Sequence, residues 1–216
     1  MQTKQFWDRK YLQSPVLYNG RAVILNNGQV VNKVVPYAVD VRQFIQAPNF
    51  VLEKIVKDEG IWGLNSYEDK ALACLQFVRK HIEYTADKTS YGLNELWTFP
   101  GETLALGKGD CEDMSILLVS LLRNAGVPSY RIKVAAGWVV AGKNAPLGGH
   151  AYPLFLRQDE EWVALDPCYY PNDLPVSQRP PVKNDSNYKD VWFTFNDEYS
   201  WANKPVTVIR SVKLVK

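Results

Sequence analysis

Cysteine is scarce in this sequence, and histidine scarcer. Cys74, Cys111 and Cys168 are the three cysteines, and an odd, sparse set excludes a disulfide framework. There is no CxxC pair, and with only His81 and His150 available no zinc-ligand spacing arises. No metal or cofactor is therefore expected. Charge of one sign is also missing: 25 Lys and Arg against 23 Asp and Glu leave a net charge of +2. Without a basic run, neither nucleic acid nor an anionic membrane is expected as a partner. No apolar run approaches the length of a membrane span. The N-terminal segment carries Lys4, Asp8, Arg9 and Lys10 with no apolar core behind them, so a cytoplasmic location is expected. Internal repeats and low-complexity tracts are absent.

What is present is the composition of a globular protein, 46% apolar and 22% charged. A chain of 216 residues supports one sizeable core, or one core with a small appendage. Seven tryptophans and twelve tyrosines suit a core and a substrate cleft together. Val34-Val35 and Tyr37 to Val41 read as strands broken by Pro36. Ser66 caps a helix on which Ala71, Leu72, Leu75, Val78 and Ile82 follow helical spacing. Thr85 to Asn94 reads as a loop. A second helix runs from Cys111 to about Ala125, with Met114, Leu117, Leu118, Leu121 and Leu122 in one stripe. Asp110 is its expected cap, Asp113 completes a capping box, and Gly126 and Pro128 stop it. The period then changes to two. Tyr130 to Val140, His150 to Leu156 and Glu161 to Leu165 read as strands, the last two joined by a hairpin loop at Arg157 to Glu160. Gly142 to Gly149 reads as a loop and Asn172 to Asp190 as an irregular surface segment. Val191 to Phe195 and Val206 to Val215 read as late strands. A helix followed by antiparallel strands is an α+β arrangement.

The chemistry lies in three segments. Cys111 opens the leucine-rich helix, inside Gly109-Asp110-Cys111-Glu112-Asp113. His150 follows two glycines, and Asp166 lies in Ala164-Leu165-Asp166-Pro167. Nucleophile, base and orienting carboxylate thus follow one another along the chain. A helix N-terminus favours an anion, so the Cys111 pKa is expected to fall. Asp110, Glu112 and Asp113 oppose this, which calls for a protonated His150 nearby. The hairpin brings His150 and Asp166 side by side, leaving the second imidazole nitrogen for Cys111. Trp97 is either a core residue, the preferred reading, or a cleft residue whose indole N–H meets the oxyanion. Cys74 and Cys168 read as buried thiols, His81 as a helix-end residue, and Glu102 and Glu112 as residues that fix loops or a cap.

These segments resemble the transglutaminase-like superfamily of cysteine acyl-transfer enzymes. The resemblance rests on Gly109 to Asp113 with its helix and Ala125-Gly126-Val127-Pro128, on Gly149-His150-Ala151-Tyr152, and on Trp162 to Pro167. It covers about Ser66 to Tyr170. It implies a papain-like core, with the nucleophile helix packed on an antiparallel sheet. By resemblance Cys111 is the nucleophile, His150 the base and acid, and Asp166 the orienting carboxylate. Protein or peptide substrates are implied, and no cofactor. The family holds cross-linkers, amidases and proteases. Hydrolysis is preferred over cross-linking, since no calcium loop of acidic spacing appears and the chain is compact. The expected layout is an unassigned extension at 1–60, a catalytic core at 61–170, and loop and strands at 171–216 packed on that core. A non-enzymatic assembly protein built on the same fold is the alternative reading, motivated by the aromatic-rich stretch Trp192 to Trp201.

Overall fold

The computed structural model describes residues 16–19, 23–24, 30–31, 38–140, 145–169, 174–202 and 207–210. Strands β1 (Val16–Asn19), β2 (Val23–Ile24), β3 (Val30–Val31) and β4 (Ala38–Asp40) come first. Helices α1 (Phe50–Asp58) and α2 (Tyr67–His81) follow. Strand β5 (Glu83–Tyr84), helices α3 (Asp87–Tyr91) and α4 (Pro100–Leu106) and strand β6 (Lys108–Gly109) lead into α5 (Cys111–Asn124). Strands β7 (Ile132–Val140), β8 (Leu147–Leu156), β9 (Trp162–Ala164), β10 (Tyr188–Phe195), β11 (Ser200–Ala202) and β12 (Thr207–Arg210) follow, with short 3-10 turns at Ser129–Arg131, Val176–Gln178 and Val182–Asn184.

The main sheet is antiparallel throughout, in the order β11-β10-β7-β8-β9. Helix α5 lies across β7 and β8, with α1, α2 and α4 packed around it. The architecture is α+β. A smaller sheet, β12-β1-β4, pairs strands from the two ends of the chain. Among the described residues, no helix is long and apolar enough to cross a membrane.

The helix ends follow local chemistry. Ser66 accepts the Asp69 N–H at 3.0 Å and starts α2. Glu102 accepts the Phe99 N–H at 2.8 Å and starts α4, the capping role expected of it. Gly126 takes φ 86° immediately after α5, a turn that glycine makes without strain.

Helix α5 differs from its expected form. A single apolar stripe predicts one wet face, yet the helix is buried nearly all round. Its polar residues are buried because each finds a partner. Ser115 donates to the Ala151 carbonyl at 3.2 Å, and Ser120 accepts the Gln46 N–H at 3.1 Å. Asn124 accepts the Asn49 N–H at 2.8 Å and donates to the carbonyls of Gln46 and Ser120. The segment leading into α1 is thereby tied to the central helix.

Other expectations change in detail. The polar stretch Thr85 to Asn94 holds the short helix α3 rather than only loop. Strand β8 begins at Leu147, so Gly148 and Gly149 belong to it and His150 is its fourth residue. Asn172 to Asp190 is not a purely surface segment. Val176 and Arg179 are buried, and Arg179 donates to the Ala164 carbonyl at 3.3 Å. Proline-rich composition signals irregular backbone but says nothing of burial. The expectations for Lys4, Asp8, Arg9 and Lys10, for Val34, Val35, Pro36 and Tyr37, and for Gly142, Tyr170, Asn172, Val206 and Val215 fall outside the described residues.

Candidate active site

The hairpin of β8 and β9 sets the first pair. Its register runs from Leu156↔Trp162 to Leu154↔Ala164, and the Leu165 N–H reaches the Pro153 carbonyl at 2.9 Å. Asp166 therefore emerges just past the end of β9, beside the part of β8 that carries His150. His150 Nε2 lies 2.7 Å from Asp166 Oδ2. Both side chains are buried, His150 at 4% and Asp166 at 0% exposure. The Cys168 N–H donates to Asp166 Oδ1 at 2.8 Å, and the Tyr188 hydroxyl donates to Asp166 Oδ2 at 3.0 Å. The Tyr169 N–H also reaches Oδ1, at 3.3 Å, so four donors hold the carboxylate in place. The imidazole is held between the rings of Tyr152 and Tyr169, with centroids 5.9 Å and 4.4 Å away. Asp166 takes Nε2, so Nδ1 is the nitrogen left for the nucleophile. Tyr188 was not legible as a site residue. It lies in β10, beyond the segment of resemblance, and no local pattern marks it.

Cys111 is the first residue of α5. Its S–H donates to Glu112 Oε2 at 3.1 Å, and the amide of Ala151, next to His150, faces the sulfur. Burial pushes the Cys111 thiol up to about 12, and the Asp110 charge pushes the same way. This reverses the expected effect of the helix N-terminus. Desolvation is the largest cause, and the Ala151 amide and the Glu112 contact oppose it only in part. Cys74 is fully buried on α2. Cys168 sits by Met114, with its sulfur 3.9 Å from the methionine sulfur. His81 stacks on Phe77, as befits a helix-end residue.

A second feature was invisible to spacing. Asp87, Asp110 and Asp113 hold carboxylate oxygens within 4.8 Å of one another, and Asp110 also borders Cys111 and Glu112. Asp113 accepts the Thr98 N–H and hydroxyl at 2.8 Å and 2.7 Å. The Asp110 carboxyl turns to the Asp87 amide and to the amide and side chain of Glu112. Glu112 does not cap; it faces the thiol. Burial holds Asp87 up at about 9 and Asp113 at about 8, and in both the Asp110 charge adds to the effect. Burial also raises Asp110, Glu95 and, far more, Glu112. Asp87 Oδ1, Asp110 Oδ1, Asp113 Oδ2 and Glu112 Oε1 are buried acceptors that no protein donor reaches.

Trp97 is 3% exposed and belongs to the core, stacked between Tyr18 and Phe195. Its indole N–H donates to Glu95 Oε1 at 2.6 Å. That bond occupies the indole donor, and the ring packs among core residues.

The family model described as "Transglutaminase-like superfamily" matches residues 57–167. Among solved structures, LapG of Legionella pneumophila is similar, with TM-score 0.50 and 20% identity over 76% of this chain and 86% of that one. The EGTA-treated form of LapG gives TM-score 0.50 over 84% of its length, and the calcium-bound form 0.45 over 87%. No match is found among curated proteins.

Proposed function

From the premise that the chain belongs to the transglutaminase-like superfamily, we propose that it is a cysteine-dependent acyl-transfer enzyme acting on amide or peptide bonds. The observation that carries this reading is the buried His150–Asp166 pair, with Asp166 on Nε2 and the following residue, Ala151, against the Cys111 sulfur. A thiol held up near 12 keeps its proton at neutral pH. The proton must therefore leave as the sulfur attacks the carbonyl carbon. His150 Nδ1 takes it and passes it to the departing amine, leaving a thioester on Cys111. Water then adds to the thioester, His150 removing its proton, and the carboxylate and free thiol are released. Asp166 stabilises the transient imidazolium and fixes its tautomer.

Water is favoured as the acceptor, which makes the protein a protease or amidase. Incubation with a glutamine-containing protein and a labelled primary amine tests this. Release of ammonia or new peptide termini is expected to outpace amine incorporation. Incorporation exceeding hydrolysis reverses the assignment to cross-linking.

A second reading concerns the carboxylates. Four buried oxygens without protein donors are the ligand type of a hard divalent cation. Asp87, Asp110 and Asp113, whose carboxylate oxygens lie within 4.8 Å of one another, fit such an ion, and calcium is the candidate. Bound there, it would supply positive charge that offsets the acids beside Cys111. Added calcium is expected to raise the melting temperature at pH 8, and EGTA to reverse the rise. Identical melting in calcium and in EGTA removes the cation from the account.

A further inference from the structure

The sheet face that carries α5 continues past the nucleophile, and there it is built from tryptophan. Along β7, Ile132, Val134 and Ala136 face α5 and join the core beneath it. The next residue on that face is Trp138, by the two-residue period of a strand. On β8, Ala151 pairs with Ala136 and presents its amide to Cys111, and Gly149 pairs with Trp138. The Trp138–Gly149 row thus lies one strand repeat, about 7 Å, beyond the row that touches the sulfur.

Strand β10 brings a second indole to the same place. Val191 pairs with Gly137 and Phe193 with Ala136, so Trp192 is an extra residue in a β-bulge. Bulges re-aim side chains beside active sites. Here the Trp192 ring lies over Gly149, 2.9 Å from where a Cβ would stand. It meets Trp138 edge to face, with centroids 4.8 Å apart at 89°. Gly149 is glycine because the indole fills its side-chain space. The two tryptophans remain 38% and 39% exposed, and Leu147 on the same face is 54% exposed. Tyr84 and Tyr169, each half exposed, lie within electrostatic range of Cys111.

We propose that Trp138, Trp192 and Gly149 form a specificity subsite for a large apolar or aromatic side chain of a peptide substrate, on the residue next to the carbonyl that Cys111 attacks. The proposal rests on Cys111 being the nucleophile and names the substrate class of that same site. Its support is the continuity of the indole row with the row that touches the sulfur. Covering two part-exposed indoles removes apolar surface from water on both partners, which favours Phe or Leu over Gly or Asp by roughly 10-fold to 100-fold.

The test measures binding, by titration calorimetry, to Cys111→Ala protein. The probes are blocked pentapeptides of alanine with Phe, Leu, Gly or Asp at the central position. Phe and Leu peptides are expected to bind about tenfold tighter or better. Trp138→Ala or Trp192→Ala in the same background is expected to bring the ratio close to one. Gly149→Ala, which displaces the indole, is expected to lower it, and serves where a tryptophan substitution prevents folding. Equal affinity for all four peptides, no binding by any, or a preference that survives the substitutions overturns the proposal. The readout is independent of turnover. Selective binding without turnover by the wild-type protein sinks the acyl-transfer reading and leaves the subsite. Turnover without selectivity does the opposite.

Discussion

At the scale of single residues, the thiol is held back by its surroundings. Burial is the largest cause of its raised pKa, and Asp110 is the next. The sign follows directly: each disfavours the thiolate, so removing the Asp110 charge lowers the pKa. Asp110→Asn is expected to move the pH profile of Cys111 alkylation to lower pH, measured by iodoacetamide labelling and site-resolved mass spectrometry. An unmoved profile contradicts the assignment of Asp110 as an opposing charge. Cys111, His150 and Asp166 were legible in the sequence because each sits in a distinctive local setting, a helix start, a glycine pair and a strand end. Tyr188, Asp87 and Glu95 were not. They reach the site from distant positions, and nothing in their own neighbourhoods marks them.

At the scale of elements, α5 holds the site. It places Cys111 at its first turn while its remaining length is clamped on all sides. Asn124 anchors the far end, with one acceptor and two donor bonds to the segment before α1 and to its own helix. Asn124→Ala leaves the partly buried Asn49 amide and Gln46 carbonyl without these partners, and is expected to cost about 1 kcal/mol or more in urea unfolding. A loss below about 0.5 kcal/mol shows that the clamp contributes little. The length and stop of α5 were legible from its leucine spacing and Gly126. Its burial on every side was not, because serine, asparagine and acidic residues read as solvent-facing until their partners are known. The same limit applies to Arg179, whose burial depends on a carbonyl contributed by β9.

At the scale of the whole molecule, the buried acids tie stability to pH. Asp87 and Asp113 have folded-state pKa values of about 9 and 8, above the ordinary carboxylate value. A raised value means the protonated form is favoured in the fold. Their contribution to stability is complete below about pH 4 and is lost as pH rises through 8 and 9. In EGTA, the melting temperature is expected to fall between pH 5 and pH 9. Asp87→Asn is expected to flatten that fall, and calcium to offset it at the alkaline end. A melting temperature that rises over this range contradicts the placement of these acids. The antiparallel sheet and its helix were legible from the change of hydrophobic period after Gly126. The gathering of carboxylates was not, since it depends on α3, in a stretch that reads as loop, folding back on the start of α5.

The central claim is that Cys111 accepts an acyl group with the help of His150. Mixing the protein with N-acetyl-phenylalanine p-nitrophenyl ester tests it most directly, by following nitrophenol release and then the mass of the protein. Expected are a burst of roughly one equivalent, an acetyl-phenylalanyl adduct on Cys111, no burst in Cys111→Ser, and in His150→Ala a strongly slowed burst with equally slow loss of any adduct formed. Release without a burst, with no adduct on Cys111 and the same rate in both variants, would contradict it.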